Sequence, residues 1–234
     1  NCLVYDPAFA YELAVIIADG CKRMFADLDD VFYYLTLYNE NYPMPEMPEG
    51  SEAGILRGLY RFADAPAEPS VRATIIFSGT SWLAAAQARD ELAEHYDVGA
   101  ELWSATSYKA LRDDALSTER WNRLHPSQSP RTPWVTEVLS DAEGPYVAVS
   151  DYMKAVPDQV GRWVPGTFVP LGTDGFGRSD TRHALRRHFE TDAAHVVVAV
   201  LSALAAEGQV KASAVDDAIA RYGIDAEAPD PLLS

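Results

Sequence analysis

The chain has 234 residues, 48% of them hydrophobic, and 35 acidic against 19 basic side chains give it a formal net charge of −16. That balance argues against nucleic acid and an anionic membrane face as partners, and the length suits one domain with part of a second. The acidic excess lies on both sides of Ser70 rather than in a tail, as expected of solvated surface. Cys2 and Cys21 are the only cysteines, too few for a disulfide framework and without metal-type spacing, so a reducing cytoplasm is the expected compartment. The longest apolar run, Val196 to Ala206, is short for a membrane span and interrupted by Ser202. The chain opens directly on an apolar strand, with no initiator Met and no basic-then-apolar leader, and is expected to start inside a longer polypeptide.

Cys2 to Tyr5 reads as a buried strand, and Asp6-Pro7 as a helix start with Asp at the N-cap. Phe9, Leu13, Ile16, Ile17, Met24 and Phe25 then recur at helical spacing. The aromatic, β-branched run Val31 to Tyr38 predicts the next strand, so that strand, helix and strand form a right-handed, parallel βαβ unit. Asn39, Glu40, Asn41 and Tyr42 leave the carboxyl end of that strand, where they either approach a substrate cleft or partner subunit or cap a helix from Glu49 to Arg57. The prolines that follow, with Met44 and Met47 between them, predict a stiff apolar contact arm.

Residues 63–70, small and proline-containing, are the expected linker. They divide the chain into a partial first unit, 1–62, and a complete second one, 71–234. In the second unit strands are predicted at 72–78, 99–104, 145–150 and 167–171. Helices are expected at 82–95, from Thr106, at 117–124, at 151–164, at 191–206 and at 212–222. Alternation of this kind predicts an α/β, doubly wound and mainly parallel sheet. The apolar helix at 191–206 is expected to be buried, against a second subunit if not within the chain.

Leu171-Gly-Thr-Asp-Gly-Phe-Gly-Arg-Ser-Asp-Thr-Arg182 reads as a strand end, a glycine-punctuated loop and a helix start capped by Ser179 or Asp180. Such a loop at the carboxyl end of a strand is a natural anion cradle. Asp174 and Asp180 would repel phosphate, however, and favour a packed, self-capped turn. None of His95, His125, His183, His188 and His195 forms a helical metal pair, and His125, between Trp121 and Pro126, is expected to serve a structural hydrogen bond. No nucleophile elbow, Walker loop or dinucleotide fingerprint is present.

Several long motifs nevertheless stand in order: Tyr5-Asp-Pro-Ala-Phe-Ala-Tyr-Glu12, Tyr38-Asn-Glu-Asn-Tyr42 with Met47-Pro-Glu-Gly50, Trp121-Asn122 with Leu124-His-Pro126, Ser150-Asp-Tyr-Met-Lys154 and Leu171 to Asp180. Together they resemble the C-terminal portion of the homodimeric bacterial pyruvate dehydrogenase decarboxylating component, a thiamine diphosphate-dependent, transketolase-like family. The family's Ser-Gly-Ser turn is Ser78-Gly79-Thr80 here.

The resemblance implies a transketolase C-terminal-domain-like fold preceded by the last βαβ piece of a pyrimidine-binding domain. It also implies thiamine diphosphate and Mg²⁺ as cofactors, pyruvate as substrate, a second copy of the chain as partner, and a lipoyl-bearing acetyltransferase component as acceptor of the two-carbon unit. The family's cofactor- and metal-binding motifs are absent from these residues, so no catalytic, cofactor-binding or metal residue is carried over. The candidate cleft or subunit-interface residues are Asn39, Glu40, Asn41, Tyr42, Asp174, Phe176, Arg178, Ser179 and Asp180, and the loop from Asp174 to Arg182 is expected to be ordered by packing on a neighbouring domain. The competing readings are a non-catalytic interaction module and a thiamine enzyme for another 2-oxo acid or a sugar phosphate.

Overall fold

The computed structural model describes Asn1 to Ser234. Two parallel strands, β1 (Cys2–Tyr5) and β2 (Phe32–Leu35), enclose helix α1 (Ala10–Cys21), which widens into a π-helical turn over Lys22–Ala26. Strand β2 is half the length predicted. Its one neighbour, β1, ends where Asp6-Pro7 turns away, so only four residues find ladder partners. Nor does Asp6 cap α1: Phe9 occupies the N-cap, and the Glu12 carboxylate reaches back to accept from the amides of Ala8 (2.5 Å) and Phe9 (3.1 Å).

After α2 (Glu52–Arg57), Gly58 takes a left-handed φ of 100° and reverses the chain into β3 (Tyr60–Ala63). This strand, absent from the sequence reading, pairs antiparallel with β5, so the chain enters the second sheet before the segment expected as linker. The remaining elements are β4 (Val71–Phe77), α3 (Trp82–Tyr96), β5 (Val98–Ser104), α4 (Tyr108–Leu124), α5 (Trp134–Val138), β6 (Tyr146–Val149), α6 (Ala155–Asp158), β7 (Phe168–Leu171), α7 (Arg182–His188), α8 (Ala193–Ala206) and α9 (Ala212–Arg221).

Where two helices were expected between Thr106 and Leu124 there is one, because Ser117 and Thr118 fall inside a continuous α4. Helix α5 went unread. The long helix expected over 151–164 is only the four residues of α6 and a 3₁₀ turn at Gly161–Trp163.

The second sheet has the order β3-β5-β4-β6-β7, parallel except for β3. Alternate residues of its central strands face opposite ways. Ala73, Ile75 and Phe77 with Leu102 and Val149 meet α3 and α8 on one face, while Ile76, Trp103 and Ala148 meet α4 and α5 on the other. Helices on both faces explain why these strands are apolar without alternation. Helix α8 buries six residues in this core, so its apolar surface is covered by the chain's own layers. The stretch Arg182–Ala206 has the length and hydropathy of a membrane span, but α7 and α8 are separate helices, broken where Glu190 adopts a φ of 58°.

The two units share a core. Phe9 stands 5.0 Å from Phe62, 5.3 Å from Trp82 and 6.0 Å from Phe77, ring centre to ring centre. Beside it Glu12, fully buried, accepts from the hydroxyls of Tyr60 and Ser104, each at 2.7 Å. With the two amides already named, all its lone pairs in reach are used. These contacts set the carboxyl ends of β1 and β2 against those of β4, β5 and β6. At the junction Gly79, with a φ of 50°, lies so close to Tyr38 that a Cβ there would sit 2.5 Å from the ring.

Candidate functional site

Carboxyl ends of parallel strands are where an α/β sheet leaves space, because the chain parts there toward opposite faces. A cleft of about 360 Å³ opens at this place. Tyr38, Asn39 and Glu40 enter it from the segment after β2, Thr80 from the turn after β4, Asp151 from the end of β6, and Thr173, Gly175, Gly177 and Arg178 from the loop after β7. Arg182 and Arg186, one turn apart on α7, complete the wall with Thr191.

The polar groups form a connected array. Arg186 donates to both oxygens of Glu40, at 3.2 and 2.5 Å, and to Thr80 Oγ1 at 3.3 Å. A two-pronged, largely desolvated pair of this kind is among the stronger side-chain contacts, and Glu40 holds the Arg186 guanidinium more firmly protonated still. Thr80 donates to Asp151 Oδ2 at 2.8 Å. Arg182 donates to Asn39 Oδ1 at 2.7 Å and lies 3.9 Å from Glu40.

Behind the cleft, buried Asp6 accepts from Thr36 (2.5 Å) and Tyr38 (2.6 Å) on one oxygen, while its other oxygen, like Ser78 Oγ and Tyr108 Oη, has no partner. Burial raises the Asp6 carboxyl above the ordinary range, with nearby Asp151 adding to it and the hydroxyl bonds from Thr36 and Tyr38 opposing it.

Of the residues singled out in the sequence, Asn39, Glu40 and Arg178 line the cleft. Asn41 is exposed outside it, and Tyr42 turns inward, its hydroxyl on the Ala8 carbonyl at 2.5 Å and its ring 5.5 Å from Trp82. Asp174 points away, accepting from the Lys154 amide at 3.0 Å. Ser179 and Asp180 border a neighbouring cavity with Arg178 and His188. Neither caps α7: the cap is Thr181, whose Oγ1 accepts from Ala184, and Asp180 binds only the Thr181 amide. Within the loop Phe176 is 83% exposed, while the Gly175 backbone lies against that of Pro231.

Sequence reasoning missed Tyr38, Thr80, Asp151 and Arg186 as a group. The available signal was position, because the first three each follow a strand's last residue closely and Arg186 stands one turn after Arg182.

The cleft holds hydrogen-bond donors, arginines and carboxylates, which suits binding and positioning. No group of three or more His, Cys, Asp and Glu side chains converges in the structure. His125 lies elsewhere, stacked 4.4 Å from Trp121 and bonded to that residue's carbonyl at 2.8 Å.

Residues 58–192 match the family of transketolase-like TK C-terminal domains, which is more than half of the chain. The chain belongs to that family. Before it, residues 1–45 match the middle domain of the pyruvate dehydrogenase E1 component. Among characterised proteins, the pyruvate dehydrogenase E1 component of Pseudomonas aeruginosa is 46% identical over 233 residues, 99% of this chain and 26% of that protein. That of Mycolicibacterium smegmatis is 49% identical over 225 residues, 95% of this chain and 24% of that one. The Escherichia coli K12 protein is 46% identical over 236 residues, 100% of this chain and 26% of the relative.

The chain therefore spans about a quarter of the length of the relatives it matches. In fold it is similar to transketolase from Leishmania mexicana, with a TM-score of 0.56 at 18% identity, over 98% of this chain and 27% of that one. Pichia stipitis transketolase, solved with a sedoheptulose phosphate, gives 0.56 at 17% identity over 88% and 25%. The mainly parallel sheet with one antiparallel edge strand is thus that of a transketolase C-terminal domain, with the β1-α1-β2 piece in front of it.

Proposed function

We propose that these residues are the scaffold end of a pyruvate-decarboxylating, lipoyl-acetylating E1 subunit, and that they hold the end of its cofactor-proximal domain in register without supplying a reacting group. The observation that carries this reading is the 46–49% identity to E1 components across nearly the whole chain, with the middle-domain match ahead of the C-terminal one. The structure adds a physical role. The shared core around Phe9 and Glu12 fixes the carboxyl end of β2 relative to the second sheet, and the Glu40–Arg186 pair ties down the segment that leaves it. On this reading thiamine diphosphate and Mg²⁺ are held by the remainder of the subunit. The working unit is a homodimer in the cytoplasm, and the acceptor is the lipoyl group of an acetyltransferase component.

The test is pyruvate-dependent reduction of an artificial electron acceptor by the full-length protein, with and without thiamine diphosphate and Mg²⁺. Activity requiring both is expected. Cofactor binding with turnover of another 2-oxo acid or a sugar phosphate, but not of pyruvate, would move the substrate. Absence of cofactor binding would leave a non-catalytic interaction module. Glu40→Ala in the same protein is expected to reduce activity or dimerisation, and a variant unchanged in both would remove Glu40 from the proposed role.

A further inference from the structure

The cleft raises a question that its scaffold role does not answer. In a chain of net charge −16 it gathers three arginines, Arg178, Arg182 and Arg186, against two carboxylates, Glu40 and Asp151. Arg186 engages both oxygens of Glu40, and Asp151 accepts from Thr80. That leaves Arg178 and Arg182 without a carboxylate of their own. Arg178 has one polar partner, the Ser234 hydroxyl at 3.4 Å, and Arg182 bonds the neutral side chain and carbonyl of Asn39, with Glu40 only at 3.9 Å. Both keep donors free on a planar fork, the geometry that grips two oxygens of a tetrahedral anion.

Backbone donors stand beside them. No N–H from Asp174 to Asp180 donates to another protein group, and Gly175 and Gly177 of that stretch line the cleft, Gly175 with a φ of 98°. A turn of free amides with a left-handed residue is an anion-binding concavity. Thr191 adds a buried Oγ1 without a partner in the cleft wall. The repulsion expected from Asp174 and Asp180 does not arise inside the cleft: Asp174 is turned onto the Lys154 amide, Asp180 onto that of Thr181, and neither lines the space. The volume, about 360 Å³, falls within the range of small-molecule sites.

We propose that this cleft binds a phosphate or phosphomonoester dianion, gripped by Arg178 and Arg182 and by the free amides of the Gly175–Gly177 turn. The cleft's excess of one positive charge favours an anion, and two guanidinium forks with free donors beside a turn of free amides suit the several oxygens of a tetrahedral anion better than the two of a monocarboxylate. The cleft's occupancy is read without turnover.

The experiment is calorimetric titration of the full-length protein, presaturated with thiamine diphosphate and Mg²⁺, with inorganic phosphate, with glycerol 2-phosphate and with acetate, at pH 8 and low ionic strength. One saturable site for a phosphate compound and none for acetate is expected. Tighter binding of glycerol 2-phosphate would identify the phosphomonoester as the ligand class, and tighter binding of inorganic phosphate the free ion. Arg178→Ala with Arg182→Ala should weaken binding about tenfold or more, since both remove charged hydrogen bonds to the anion. Arg182→Lys should retain part of it. Arg178→Ala alone, at an exposed residue with a single long contact, is the control against misfolding, with the melting temperature measured alongside. Unchanged phosphate affinity in the double variant, or no saturable phosphate binding by the parent protein, would overturn the proposal.

Discussion

In the second sheet β4 buries every residue from Ala73 to Phe77, with helices on both faces and strands on both edges. In the first, β2 leaves Phe32 52% and Tyr34 59% exposed and has a neighbour on one side only. The compositions are alike, both apolar and rich in β-branched or aromatic residues. The difference lies in how many covering layers the same chain supplies, so burial, and with it the energetic weight of a residue, follows from topology more than from residue type.

That contrast breaks most sharply under truncation. Phe77→Ala should cost about 3–5 kcal/mol, whereas Phe32→Ala should stay within about 0.5 kcal/mol. Urea unfolding of the two variants measures both, and equal losses would mean that β2 is covered as fully as β4. Next in size is Glu12, the buried carboxylate at the seam of the two units. Glu12→Gln puts an NH₂ where two hydrogen bonds were accepted and should cost about 2–3 kcal/mol, read in the same way. A loss below about 0.5 kcal/mol would show that the seam does not depend on that carboxylate.

The rim of the cleft should respond less. A double-mutant cycle on Glu40→Ala and Arg186→Ala should return a coupling of about 1–2 kcal/mol, because the pair is two-pronged yet still touched by water. Additive effects would make it a contact of no energetic consequence.

The smallest effect concerns pH. The folded state holds the Asp6 proton to a higher pH than the unfolded chain does. The Asp6 contribution to stability should therefore be full below the ordinary carboxylate value, fall as pH rises from there through the raised folded value, and level off above it. Asp6→Asn keeps an acceptor for Thr36 and Tyr38 without the buried charge. It should flatten that slope and gain about 1 kcal/mol at pH 8. Denaturant midpoints at several pH values test this, and an unchanged slope would transfer the dependence to other groups.

Much of the second sheet was legible in the sequence. The predicted strand at 72–78 is observed at Val71–Phe77 and the predicted helix at 82–95 at Trp82–Tyr96, because uninterrupted apolar runs between turn signals leave few alternatives. Strand β3 was not legible: Tyr60-Arg-Phe-Ala is too short to show a period, and its partner β5 lies some forty residues on, although Gly58 marked the turn. The long strand expected at Val31 to Tyr38 failed for a related reason, since residue preference proposes a strand but ladder partners decide its length. In the cleft, Asn39, Glu40 and Arg178 were singled out from their place after strands. Thr80, Asp151 and Arg186 were passed over because the hydrogen bonds that unite them with one another and with Glu40 cross 71 to 146 positions of sequence. The acidic residues read as hostile to an anion turned out to serve local amides, a matter of side-chain direction that no spacing encodes.

The near-contact of Gly79 with the Tyr38 ring has a bearing on recombination between relatives. A chimera that joins the first unit of one homologue to the second unit of another inherits position 38 from one parent and position 79 from the other. Any pairing of a large ring with a residue bearing a Cβ will force the seam apart, however well each unit folds. Breakpoints placed in the expected linker therefore separate two positions that can be exchanged only together, and libraries of such hybrids should be enriched, among their folded members, for those that keep glycine opposite tyrosine.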